Sequence, residues 1–418
     1  MNIDIIVLSI ASLIGLYMAA NIGANDLANA MGTAVGSRSL TLKQAVLVSI
    51  IANVLGACLA GGHVTNTISK GIIDPGLLMD DPNSLMLGMF AALVSASLWV
   101  HLATYFGLPV STTHAIVGAV VGFGILSVGA AAVSWGKIIT IAVSWIISPV
   151  AGAVIAGGIF YLAEKKIMTT KDPHAAAVHY APALIFFVVL ILILSFIFKG
   201  LKNLHLEIGF FQTLLVAAPC AVLAGMFGRQ WVRWQVHRKC ELQPNSQGFS
   251  PVECVFAQLQ VFTACYIAFA HGANDVANAI GPLAAIFSVV KTKSVALQVE
   301  VPLWMLFMGG IAVGGGLYAF GTRVMETIGR DITEITPLRG FCAQFGAATT
   351  ILICSRLGLP VSTTHVLVGS VVGVGLMRGM GALDLRILKN IGLSWVVTLP
   401  LTIVLSMVLY KLLTIVLL

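Results

Sequence analysis

Two stretches decide how this chain is read: NIGANDLANAMG, from Asn21 to Gly32, and AHGANDVANAIG, from Ala270 to Gly281. Each sets one carboxylate in apolar surroundings. Between Ile5 and Ser37 the only Asp, Glu, Lys or Arg is Asp26, and between Cys254 and Val290 the only one is Asp275. An ionised Asp at the centre of a lipid-facing helix costs about 2.5–3.5 kcal/mol on insertion scales. Both carboxylates therefore need partners or a wet cavity. Working outward, GLPVSTTHAIVGAVVGFG at 107–124 returns as GLPVSTTHVLVGSVVGVG at 358–375, and SWIISP from Ser144 has a looser echo in SWVVTLP from Ser394. Three blocks recur in one order at a nearly constant offset, so the chain is an internal duplication.

Composition sets the class. Of the 418 residues 58% are hydrophobic and 9% charged, and the mean hydropathy is +0.99, whereas a soluble domain carries about 25% charged residues. Twelve apolar segments follow, roughly 3–22, 41–62, 84–105, 111–133, 137–163, 181–199, 209–228, 253–270, 298–320, 338–356, 361–378 and 386–417. Each is about long enough to cross a bilayer. The chain reads as an all-α polytopic membrane protein of about 12 transmembrane segments, with broken or re-entrant helices near the repeated motifs. The first stretch, Ile3–Ile22, reads as a retained span, since it lacks a basic flank and a cleavage site.

The repeats occupy 1–163 and 253–418. Residues 164–252 supply two linking spans and a short basic cytoplasmic linker, Arg229–Ser250. An odd number of crossings separates the copies, so they cross in opposite directions as inverted-topology repeats. With both termini outside, the inside loops hold fifteen of the 23 Lys and Arg residues, as the positive-inside rule favours. The net charge of +7 then belongs to loop anchors; no dense basic patch with stacking aromatics suggests nucleic acid. The seven cysteines are scattered with no CxxC pair, so neither a disulfide framework nor a zinc site is indicated.

The motifs suggest ligands. On a helix Asn25 and Asn29 share a face next to Asp26, and Asn274 and Asn278 stand likewise beside Asp275. Gly23, Gly32, Gly272 and Gly281 permit unwinding and free carbonyls. Carboxylate, amide and carbonyl oxygens are hard ligands that suit a cation such as sodium; the alternative is polar glue between packed helices. In the second block Pro109 and Pro360 block helix upstream, and Ser111, Thr112, Thr113 and Ser362, Thr363, Thr364 follow. Hydroxyls on the free N–H groups of a helix start make a cradle for an oxyanion; ordinary capping is the alternative. His114 and His365 read as structural, and Trp145 and Trp395, with Pro149 and Pro400, as anchors and kinks. Inverted symmetry would aim both cradles at one midplane site beside the cation sites, each ligand neutralising the other.

These paired blocks resemble the inorganic phosphate transporter (PiT) family of secondary transporters. The resemblance runs over about 15–163 and 253–400, including HVTNTISKGIIDP from His63 and RVMETIGRDITEITP from Arg323. It implies a multi-pass cell-membrane symporter that imports inorganic phosphate with sodium by alternating access, often as a homodimer, with no cofactor beyond the co-transported ion. Asp26, Asn29, Asp275 and Asn278 would line cation sites, and the Ser-Thr-Thr triplets would hold phosphate. Vertebrate members carry glutamates where this chain has Asn53 and Gln344, which puts in doubt a proton-handling role there. The long soluble central loop of animal members is absent, which favours a prokaryotic protein. Proton-coupled phosphate permeases and sulfate permeases are the alternatives within the family, and an anion channel lies outside it. An enzyme is disfavoured, since Ser111–His114 is the only arrangement resembling a nucleophile and base.

Overall fold

The computed structural model describes residues 3–61, 72–73, 75–197, 209–236, 250–295, 301–356 and 361–417. These are almost all helical. Helix α1 (Ile3–Ile22) runs through a widened π turn, Gly23–Leu27, into α2 (Ala28–Gly36). Then come α3 (Leu42–Ala60), α4 (Pro82–Tyr105), α5 (Thr112–Ser127) and α6 (Trp135–Ala163). The linking helices are α7 (Pro173–Ser195) and α8 (Phe210–Val236). The second unit holds α9 (Pro251–Asp275), α10 (Ala277–Thr292), α11 (Leu303–Phe320) and the short α12 (Thr322–Glu326). It ends with α13 (Pro337–Arg356), α14 (Thr363–Leu376) and α15 (Leu385–Leu417).

Local chemistry sets the helix starts. Thr41 and Gln44 form a reciprocal capping box on α3, as Ser250 and Glu253 do on α9. The Asp81 carboxylate accepts from Ser84 N at 3.1 Å at the head of α4, with proline next to it in the first turn. These pairs satisfy amide groups that a helix start leaves open.

Burial is inverted relative to a soluble protein. Large apolar side chains face outward, such as Leu13 (68% exposed), Val154 (68%) and Val396 (72%), while Asn25, Asp26, Asn29, Thr112, Asp275, Asn278 and Thr364 are buried. Hydrocarbon solvates the first set at no cost, and the second finds its partners inside. Among the described residues, nine helical rods are long and apolar enough to cross a bilayer, and the STTH helices α5 and α14 are shorter.

Two segment boundaries differ from the sequence expectation. The first span continues to Gly36 instead of stopping at Ile22, and the eighth runs from Pro251 to Thr292 with one break. Asn, Asp and Gly lower the local hydropathy of these stretches, yet their side chains face protein, so the helix persists. The basic linker is also shorter than Arg229–Ser250, because α8 extends to Val236. Residues 237–249, Pro360 and the stretch 62–71 lie outside the described residues. Five cysteines are free thiols, whereas Cys254 is disulfide-bonded, unlike the expectation that no pairing is indicated.

The inverted relation is visible in the two motif-bearing rods. Lys293 Nζ reaches Asp4 Oδ1 at 2.6 Å, Asp26 and Asp275 meet in the middle, and Ser37 Oγ donates to Gln260 Oε1 at 2.8 Å. The start of one rod therefore lies beside the end of the other, and the two run antiparallel. Helices α4 and α5 fold back as a hairpin, with Gly88 against the Phe123 ring. The tip, 106–111, reaches the level of Asn25, whose side chain holds Leu108 and Val110. This hairpin enters and leaves at one end of the molecule, and α13 and α14 pack together as its counterpart, with Gly375 at the end of α14 beside Thr333 just ahead of α13; four of the twelve expected segments thus form two re-entrant hairpins. In and out assignments of the other loops are unchanged, because two crossings and a hairpin are equivalent for them. The hairpin helices are also exchanged between units. Gly118 and Gly122 of α5 seat against Leu399 O and Ile403 O of α15, and Gly369 and Gly373 of α14 against Pro149 O and Ala153 O of α6.

Candidate functional site

The site forms where both AND motifs and both STTH motifs converge. In the first motif the helix widens at Gly23–Leu27, and a π turn is a common device for redirecting side chains at functional sites. In the second the helix breaks at Val276, between α9 and α10. Gly23 and Gly272 serve close helix contact, beyond the expectation that they release carbonyls. A Cβ on Gly23 would stand 1.7 Å from Val313 O and one on Gly272 2.0 Å from Asn53 O. They let α11 and α3 press against the motif backbones.

Each hairpin tip is shaped by its first hydroxyl. Ser111 and Ser362 sit in extended backbone and accept from His114 N and His365 N, each at 3.3 Å. These two serines are thus helix caps, which leaves the threonines for the site. Thr112 Oγ1 donates to Asp26 Oδ2, and Thr364 Oγ1 donates to Asp26 Oδ1 at 2.8 Å. Thr363 Oγ1 donates to Asp275 Oδ2 at 2.8 Å. Asn29 Nδ2 donates to Thr364 Oγ1 at 2.9 Å; its symmetry counterpart Asn278 Nδ2 donates to Thr112 and Thr113 at 3.2 and 3.1 Å. Asp26 therefore receives one hydroxyl from each hairpin.

The remaining two asparagines stand apart. Asn25 spans the first hairpin tip, donating from Nδ2 to Thr104 Oγ1 and Leu108 O, each at 3.0 Å, and accepting from Val110 N at 2.9 Å. Asn274 donates to its neighbour Asp275 at 3.0 Å. Of the twelve residues singled out in the sequence, eight meet at the centre: Asp26, Asn29, Asp275, Asn278 and the four threonines. Ser111, Ser362 and Asn25 shape the tips, and Asn274 supports its own aspartate.

Several participants were not assigned from sequence. His271 lies one helical turn before Asp275, with Nε2 at 3.5 Å from Asp275 Oδ2; the i, i+4 spacing was the available signal. Asn53 accepts from His271 Nδ1 at 2.9 Å and donates to Gly310 O at 3.3 Å. Gln344 accepts from Thr263 at 2.6 Å and donates to Ala30 O at 3.0 Å. Trp145 and Trp395 are not interface anchors. Their rings stack on His114 at 3.3 Å and His365 at 3.7 Å, and the two imidazoles meet at 4.4 Å between centroids. Trp395 Nε1 also donates to Pro109 O at 2.8 Å. This four-ring stack joins the two hairpins beneath the threonines.

The electrostatics call for cations. One ligand atom each from Asp26, His271 and Asp275 lies within 4.8 Å of the others, and all three residues are buried. Two carboxylates at that separation repel by about 3 kcal/mol even at an effective dielectric constant of ~20. Among the described residues no Lys or Arg contacts them. Asn29 Oδ1 and His271 Nε2 are buried acceptors with no donor, and both line a cavity beside Asp26 with room for about one water-sized sphere. A small cation bound by these oxygens matches the chemistry on offer.

Comparison with known proteins points to one family of transporters. The family model described as the phosphate transporter family matches residues 22–406. A relative from Thermococcus kodakarensis, provisionally named a phosphate permease, is 43% identical over 98% of both chains. The chloroplastic inorganic phosphate transporter 2-1 of Arabidopsis thaliana is 40% identical over 94% of this chain and 70% of its own. A solved structure entitled the sodium-dependent phosphate transporter superposes with a TM-score of 0.88 at 39% identity, covering 98% of this chain and 100% of that one. A multi-pass helical protein with duplicated AND and STTH motifs closing on one buried centre, this chain belongs to the phosphate transporter family.

Proposed function

We propose that the protein is a symporter that imports inorganic phosphate together with sodium by alternating access. The supporting observation is that the hydroxyl protons of Thr112, Thr363 and Thr364 are all donated to Asp26 and Asp275. A hydroxyl has one proton, so it serves either a carboxylate or an anion. Sodium bound by Asp26, Asp275, Asn29 and Asn278 would occupy the carboxylate oxygens and release those protons. The four threonine hydroxyls and the first-turn N–H groups of α5 and α14 would then receive phosphate. Ser111 and Ser362 would hold these helix starts in place, and Asn25 and Asn274 would support the cation face.

Coupling follows from this competition. Without sodium the hydroxyls of Thr112, Thr363 and Thr364 stay on the negative aspartates; with sodium the aspartates would be neutralised and those hydroxyls would be free for the anion. Neutralised aspartates and freed hydroxyls would let a site without lysine or arginine among its described contacts receive an anion. The test is uptake of labelled phosphate into proteoliposomes. Accumulation against the phosphate gradient under an inward sodium gradient is the expected result. Accumulation driven by a pH gradient alone would replace sodium with protons, gradient-independent flux would indicate a channel, and stronger competition by sulfate than by unlabelled phosphate would change the substrate.

A further inference from the structure

We infer that Asp26, His271 and Asp275 form a binding site for a first-row divalent transition-metal ion, which competes with sodium for the two carboxylates. The inference uses the same carboxylates as the transport reading but is independent of what the protein carries. The amide of Asn53 is oriented by its Nδ2 donation to Gly310 O at 3.3 Å, so Oδ1 faces His271 Nδ1 at 2.9 Å. An amide oxygen only accepts, so Nδ1 carries the imidazole proton and Nε2 presents its lone pair. That lone pair has no donor, although the side chain is 1% exposed. It points at Asp275 Oδ2, 3.5 Å away.

A lone pair facing a carboxylate is an arrangement that a shared cation relieves. The three ligand atoms lie within 4.8 Å of one another; ligands held about 2.0–2.2 Å from one ion stand roughly 3–4 Å apart, so small side-chain rotations close the set. Asn29 Oδ1, buried and without a donor, lines the same cavity with Asp26 and His271 and completes a fourth position. One imidazole nitrogen with carboxylate oxygens is a donor set that sodium uses poorly and that suits cobalt, nickel, copper or zinc. Donation from the remote imidazole N–H, here His271 Nδ1 to Asn53 Oδ1 at 2.9 Å, is the usual support of a metal-bound histidine. The first repeat has Ile22 where the second has His271, so the nitrogen ligand enters from one repeat only and the pair of aspartates shares it. A single divalent ion also supplies the charge that two sodium ions would.

The test uses the purified full chain in detergent, in sodium-free choline buffer, titrated with Co2+ and read by equilibrium dialysis and visible absorption. One Co2+ per chain is expected, with an apparent Kd that rises as sodium is added. His271→Gln is expected to weaken binding more than tenfold, and Asn53→Ala, which removes only the support, by about tenfold. With Cu2+, the electron paramagnetic resonance spectrum is expected to show imidazole nitrogen coupling that His271→Gln removes. Gel-filtration profiles of both variants check that they fold, and Asn53→Ala stands in if His271→Gln does not. Co2+ affinity unchanged in the folded variants, insensitivity to sodium, absence of Co2+ binding, or a Cu2+ spectrum with oxygen ligands only would overturn the assignment. Phosphate uptake without metal is measured separately: loss of its sodium dependence would remove the transport reading and leave the Co2+ result to decide the metal site.

Discussion

At the scale of single residues, the proposed coupling is a competition for hydroxyl protons. Thr364 both donates to Asp26 and accepts from Asn29, so Thr364→Val removes both bonds at nearly constant volume. Buried partners left without a hydrogen bond cost about 1–3 kcal/mol, and sodium-dependent phosphate uptake is expected to fall more than tenfold, while Thr364→Ser, which keeps the hydroxyl, retains most of it. Equal loss in both variants would show that the methyl group matters and the hydroxyl does not. Asp26→Asn and Asp275→Asn are each expected to abolish the stimulation of uptake by sodium, read as uptake against sodium concentration. Coupling unchanged in both would remove these carboxylates from the cation site. The aspartates, asparagines and threonines were legible in the sequence because polar groups in apolar stretches have few other uses. His271 and Asn53 were not, since a single buried histidine or asparagine is most often a packing residue; their roles depend on a tautomer set by Gly310 O, 257 residues from Asn53.

At the scale of elements, close helix contact positions the site. Gly272 carries no side chain because Asn53 O occupies that space, 2.0 Å from where a Cβ would stand. Gly272→Ala must push α3 from α9, and overpacking of this kind costs about 1–3 kcal/mol. A lower melting temperature in detergent is expected, together with weaker sodium stimulation as Asn53 leaves His271. Gly158 in α6 has nothing within 4 Å of its would-be Cβ, so Gly158→Ala should match or raise the parent's melting temperature, since alanine favours helix by about 1 kcal/mol. If both substitutions behaved alike, close approach would not be what Gly272 provides. Hydropathy marked most helices but shortened those carrying the motifs, because it counts Asn and Asp as exposed when they face protein. The exchange of α5 and α14 between units had no sequence signal, since Gly118 and Gly369 read equally well as packing within one repeat.

At the scale of the whole molecule, duplication and the odd number of intervening crossings were enough to read the inverted architecture, and the antiparallel rods joined at Asp4–Lys293 and Ser37–Gln260 agree with it. The hairpins alter how many segments cross without altering which loops share a side. Single cysteines introduced at Lys165 and Ser294, in a chain with its native cysteines replaced, are therefore expected to react with impermeant maleimide from opposite faces of the membrane; reaction from one face would contradict the topology. In the proposed mechanism, cations on the aspartates free the threonines for the anion, a coupling that must be reciprocal. Its most direct measurement is equilibrium binding of labelled phosphate to the purified protein in sodium and in choline, with sodium binding measured at zero and saturating phosphate. The account requires phosphate to bind at least about tenfold more tightly in sodium, and sodium affinity to rise by the same factor with phosphate. Phosphate binding of equal strength in choline would contradict it.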